Sequence, residues 1–131
     1  MRAILKKTEG DYLEAIIELD GVNVVVMDEF GGDRYQGGEK IDICVSVGRH
    51  YEDEEWEWMF SGKTEAKKEL NHQWGWRYRA YGIVTEIGPE VIVDVGITHL
   101  SAPIDTSDRK VLGESIAFTI DRLDAHSSEQ G

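Results

Sequence analysis

Glu52, Asp53, Glu54, Glu55 and Glu57 place five carboxylates within six residues. Such a run could grip a basic partner or collect a divalent cation. It could also supply a proton donor, because crowded like charges raise some carboxyl pKa values. Calcium loops set oxygen ligands at fixed spacing around a turn glycine, and no glycine lies in this run. Aromatic residues interleave with the acids at Tyr51, Trp56 and Trp58. Aromatic anchors ringed by charge dominate protein–protein interfaces. The segment therefore reads as a partner-binding set made of Tyr51, Glu52, Asp53, Glu54, Glu55, Trp56, Glu57 and Trp58.

A second set combines stacking faces with positive charge: Trp74, Trp76, Arg77, Tyr78 and Arg79, followed by Tyr81. On an open sheet these side chains could stack the bases of single-stranded nucleic acid or the rings of a glycan. The competing expectation is that one alternating half fills the core while the arginines neutralise nearby acids. Tryptophan and tyrosine are highly buried on average.

Other spacings carry less. His50, His72, His99 and His126 include no i, i+4 pair, and Cys44 has no nearby cysteine, so no metal site is expected. Ser61-Gly62-Lys63-Thr64 contains Gly-Lys-Thr, but a phosphate loop needs a glycine where Glu57 stands. Cys44 sits mid-strand among apolar neighbours, as inert cysteines do. No G-x-S-x-G nucleophile turn occurs. An enzyme would need a carboxylate pair drawn from residues distant in sequence, and spacing nominates none. No cofactor is implied.

The elements that must position these residues are strands. Ile41, Ile43, Val45 and Val47 alternate with Asp42, Cys44, Ser46 and Gly48, and Ile116, Phe118 and Ile120 alternate likewise. The runs from Val22 to Met27 and from Val91 to Val95 are apolar on both faces, as central strands are. Asp20-Gly21 and Gly88-Pro89 precede them, so each closes an expected hairpin with Tyr12–Leu19 and Tyr78–Ile87. Tyr51 to Phe60 and Trp74 to Tyr78 also alternate, which predicts strands carrying all four tryptophans across a hairpin. Between them, Thr64 to Leu70 reads as one short helix with Thr64 as N-cap.

Ala15–Phe30 aligns on Gly82–Ile97 at an offset of 67, with Ile16/Ile83, Gly21/Gly88, Val24/Val91 and Val26/Val93 identical. The pattern admits a weak internal duplication of 12–48 on 79–123. Many short strands separated by turns mean a sandwich or barrel. The expectation is one all-β domain over residues 1–126, a sandwich or partly open barrel, with 127–131 a frayed tail.

Gly82-Ile83-Val84-Thr85-Glu86-Ile87, Val91-Ile92-Val93-Asp94-Val95-Gly96 and Val111-Leu112-Gly113-Glu114-Ser115-Ile116-Ala117-Phe118 together resemble an OB-fold of the S1 type. The resemblance implies a barrel that binds RNA or single strands through aromatic and basic residues on its first strands. The chain departs from that pattern, since no basic residue interrupts Gly82 to Gly96.

Charge decides between the readings. The chain has 131 residues and a net charge of −12. Residues 1–65 hold sixteen acids and seven bases, and residues 66–131 hold ten and seven. A negative field repels phosphate backbones and anionic membranes, and it speeds association with basic partners. The expectation is a non-enzymatic acidic module engaging a basic protein, in the manner of an inhibitor or immunity protein. An OB-like barrel binding single strands or glycan is the alternative. No apolar h-region follows Met1-Arg2-Ala3, and no apolar run is long enough to span a membrane, so the cytoplasm is the expected compartment. A homodimer through an exposed edge strand is compatible with the pattern.

Overall fold

The computed structural model describes residues 1–60 and 67–127. Its strands are β1 (Arg2–Thr8), β2 (Glu14–Leu19), β3 (Val22–Glu29), β4 (Lys40–His50), β5 (Glu69–Trp74), β6 (Arg77–Glu86), β7 (Ile92–Asp94), β8 (His99–Ser101) and β9 (Ser115–Ser127). A single helical turn, α1 (Trp56–Met59), follows β4. Single 3-10 turns lie at Gly32–Arg34 and Arg109–Val111.

Five strands close on themselves. β1 lies antiparallel between β2 and β4, and β2 pairs with β3. β3 then runs parallel to the end of β9, and β9 returns antiparallel to β4. The ring order is β1-β2-β3-β9-β4. Closure pairs strand edges through which open sheets aggregate, except along β3 before Met27, where β9 does not reach. The first hairpin turns at Asp20 and Gly21, with φ of 49° and 79°. Two consecutive positive φ values match the right-handed twist of the flanking strands, which is why Asp-Gly suits the position.

Beyond the ring the nine-stranded sheet continues from the first half of β9 through β6, and this portion forms the second sheet. β9 is long enough to serve both. Its last residues close the ring, and its first residues pair with β6. β5 and β7 share the far edge of β6, and β8 completes the sheet beyond β7. The changeover coincides with a register shift opposite Gly48 and Asp121. A bulge there bends the strand from one sheet into the other. Inward residues of both sheets form one apolar cluster, with Leu5, Ile17, Val26 and Ile43 from the ring and Ala80, Val93, Ile116 and Phe118 from the second sheet.

Several expectations change. Tyr51–Phe60 is not a strand: the Trp58 N–H donates to the Glu55 carbonyl at 3.1 Å and closes a turn. Within it Glu54 turns inward, Met59 is buried and Phe60 packs partly buried against the core, whereas Trp58 is exposed, so strict alternation does not describe this segment. Of the expected helix, residues 64–66 lie outside the described residues, whereas Glu69 and Leu70 open β5. The tryptophans do not face one another across a hairpin. The hairpin is β5–β6, and it turns at Gly75-Trp76, with Trp74 opposite Arg77. Ser127 ends β9 rather than opening a tail, and residues 128–131 lie outside the described residues.

The resemblance also relocates. A five-stranded ring is the architecture of OB-type barrels. Yet Gly82–Ile87, Val91–Gly96 and Val111–Phe118 all lie in or beside the second sheet, while the ring is made by β1 to β4 and the end of β9. The strand patterns that carried the resemblance are generic to antiparallel sheets. β6 pairs with β9, whereas β2 pairs with β1 and β3 and not with β4, so the aligned halves occupy different pairing environments.

Candidate functional site

Thr119 organises the acidic segment. It lies on the outer face of β9, opposite Arg79 of β6. Its carbonyl accepts from the Tyr51 N–H at 3.2 Å, and its own N–H donates to Glu54 Oε1 at 2.6 Å. The Thr119 hydroxyl donates to Glu54 Oε2 at 3.2 Å and accepts from Arg79 Nη1 at 2.9 Å. Arg79 Nη1 also pairs directly with Glu54 Oε2. Only 12% of the Glu54 side chain is exposed. One member of the acidic run is therefore turned inward, and it straps residues 51–60 across the outer face of the second sheet.

The remaining members point out. Glu52, Asp53, Glu55 and Glu57 are exposed, and Trp58 is 70% exposed on α1. Trp56 begins α1. Met59 is buried and anchors the far end of the strap. Five clustered acids thus divide into one internal pin and four solvent-facing charges.

The second set is also divided. Along β6 the side chains alternate, with Tyr78, Ala80 and Val84 inward and Arg77, Arg79 and Tyr81 outward. Tyr78 is 2% exposed. Its hydroxyl accepts from the Val25 N–H and donates to the Val25 carbonyl, both at 2.7 Å. One phenol thereby satisfies both backbone groups on an edge of β3 that no strand covers. Burial holds the Tyr78 hydroxyl well above the usual phenol range, and the nearby Glu14 charge adds to the effect. Arg79 is committed to Glu54 and Thr119. Tyr78 and Arg79 therefore offer no ligand face.

Trp74, Trp76 and Arg77 stay together. They line an open cleft of about 430 Å³ with Glu14, Gly75 and Asp121. Trp74 is 65% exposed. Arg77 is engaged twice: Nη1 donates to Asp121 Oδ1 at 2.8 Å and Nε donates to Gln73 Oε1 at 3.0 Å. Its guanidinium lies 5.1 Å from the ring centres of both Trp74 and Tyr51. The two candidate sets, read as separate in sequence, meet at this arginine. Trp76 Nε1 is buried with no partner among the described residues, at a cost of about 1–3 kcal/mol.

Sequence reasoning missed Glu14, Asp121 and Thr119. Glu14 opens β2 with no motif around it. Asp121 stands where the period of two slips at the bulge. Neither carries a spacing signal. The buried acids are structural. Asp28 accepts from Thr8 Oγ1 at 2.5 Å and from the N–H groups of Phe30 and Gly32, and Asp124 accepts from Arg122 Nε at 2.8 Å.

Among the described residues no three His, Cys, Asp or Glu side chains converge as metal ligands. No helix among them is long and apolar enough to cross a membrane. No known family model, characterised protein or solved structure matches the chain.

Proposed function

We propose that the protein is a non-enzymatic binding module that engages a basic protein partner, as inhibitors and immunity proteins do. The recognition surface is the strap: Tyr51, Glu52, Asp53, Glu55, Glu57 and Trp58, with Trp56 at the start of its helical turn. One observation carries the reading. Glu54 turns inward onto Thr119 and Arg79, so four carboxylates and an exposed tryptophan project from a pinned segment. Fixing a segment before binding lowers the ordering cost that association imposes. An exposed indole among acids has the composition of an interface anchor. The net charge of −12 favours rapid encounter with a cationic surface and disfavours nucleic acid. The carboxylates Glu14 and Asp121 share a cleft, but Asp121 is paired with Arg77, which favours recognition over acid–base chemistry.

The test compares two charge-matched triple variants in affinity capture from the source organism's lysate. Glu52→Lys/Glu55→Lys/Glu57→Lys alters the strap. Glu9→Lys/Glu86→Lys/Asp105→Lys alters exposed acids elsewhere. A basic protein retained by the wild type and the control, and lost from the strap variant, is the expected result. Equal loss from both variants would reduce the acidity to a general field effect and end the proposal.

A further inference from the structure

The cleft beside Arg77 has a chemistry of its own. Its walls are two indoles, and its charged groups are Arg77, Asp121 and Glu14. Arg77 and Asp121 neutralise each other at 2.8 Å. Glu14 is half-buried, its backbone carbonyl accepts from the Glu9 N–H, and its carboxylate takes part in no ion pair or hydrogen bond among the described residues. An unpaired carboxylate beside indole faces is complementary to a cation, because the ring quadrupole and the carboxylate both attract positive charge. The protein already uses one of these indoles in this way: the Arg77 guanidinium stands 5.1 Å from the Trp74 ring centre, and equally far from that of the neighbouring Tyr51. Trp74 nevertheless remains mostly exposed.

We propose that this cleft receives a lysine or arginine side chain of the basic partner, with Trp74 and Trp76 as its walls and Glu14 as its counter-charge. The inference rests on the partner reading above and adds a specific contact to it. Tyr51 belongs to the strap and also flanks Arg77, so a partner seated on the strap lies next to the cleft. A long basic side chain suits the site doubly, since its aliphatic stem packs on an indole while its head reaches the carboxylate.

The test uses the intact chain labelled with ¹⁵N-tryptophan. Indole resonances are assigned through Trp58→Phe, Trp74→Phe and Trp76→Phe. The probes are Nα-acetyl-arginine methylamide and Nα-acetyl-lysine methylamide, with methyl glucoside as the neutral stacking probe. The expected result is saturable movement of the Trp74 and Trp76 signals with the cationic probes and none at Trp58. Glu14→Gln should weaken that response by about three- to tenfold, and Trp74→Ala should abolish it. Both positions lie on the surface side of their strands, and retained dispersion of the other indole signals reports an intact fold. A Trp74 response to glucoside alone, no response to any probe, or an undiminished response in Glu14→Gln would overturn the proposal. The titration needs no partner, so its failure is separable from that of the strap. Cationic probes that bind normally, combined with equal capture by both triple variants, would retire the strap and leave the cleft standing.

Discussion

Replacing Glu54 with alanine removes the pin of the strap. The variant leaves the Thr119 N–H without its 2.6 Å acceptor and takes the carboxylate from Arg79. Breaking a buried pair by deleting one partner costs about 3–5 kcal/mol. Arg79 keeps some access to water, with a quarter of its side chain exposed, so screening reduces the expected loss to about 2–3 kcal/mol. For a chain of this size that corresponds to a Tm lower by roughly 6–12 °C. Glu54→Gln keeps the shape and one acceptor and should lose about 1 kcal/mol. Glu55→Ala, one residue on and exposed, should change stability by less than about 0.5 kcal/mol. Urea unfolding followed by circular dichroism measures all three. A double-mutant cycle with Arg79→Met separates the pair energy from the backbone hydrogen bond, and a coupling near 1–2 kcal/mol is expected. Equal stabilities for Glu54→Ala and Glu55→Ala would refute the division of the acidic run into inward and outward members.

Tyr78→Phe unpairs both backbone groups of Val25 and should cost about 1–3 kcal/mol in the same unfolding assay. The folded-state pKa of Tyr78 is raised above its ordinary 10.0. The native state therefore holds a proton that the unfolded chain releases, and stability should fall as pH rises above about 10. Denaturation midpoints across that range should show the decline in the wild type and a weaker one in Tyr78→Phe. Gly48→Ala would drive a methyl group into the Asp124 carboxylate, with a loss of about 2 kcal/mol or more expected by thermal melting. Asp94 is held below the usual carboxylate range by its bond from Lys68 and then by the Gly96 N–H. That contribution is present above the unfolded pKa near 3.8 and lost as pH falls through the folded value. Lys68→Met should flatten the acid limb of a stability–pH curve.

Elements whose physics is local were legible in the sequence. The alternation of Ile41 to Val47, the run from Val22 and the Asp20-Gly21 turn reappear as β4, β3 and the first hairpin, and the run Val91 to Val95 reappears as the shorter β7, Ile92–Asp94. The length of β9 was not legible. Ile116, Phe118 and Ile120 share one parity, and Leu123 and Ala125 share the other. The bulge at Asp121 changes the phase, so a reading tied to strict period two stops at that residue. The strand nevertheless runs on to close the ring. Aromatic alternation misled at Tyr51–Phe60 for a related reason. Period two shows what would share a face if the segment were extended, and a single hydrogen-bonded turn was enough to prevent extension.

The candidate sites show a different limit. The acidic run was visible as a run, but which acid points inward depends on Thr119 and Arg79, which are distant in sequence. Their N–H, hydroxyl and guanidinium groups converge at one point outside the second sheet. Charge density cannot reveal that, because a pin and a solvent-facing charge have the same composition. The arginine set was misjudged in the same way. Alternation correctly separates Tyr78 from Arg77 and Arg79, yet it cannot distinguish Arg79, locked under the strap, from Arg77, stacked at the cleft edge. The difference arises because β9 brings Asp121 to one arginine and Thr119 to the other. Sequence therefore showed where acids and aromatics cluster but not Glu14, Asp121 or Thr119, and long-range pairing through β9 decides which clustered side chains are held inward and which are exposed. Any variant that shifts the β9 register past the Asp121 bulge should disturb strap and cleft together, since both are referenced to the same strand.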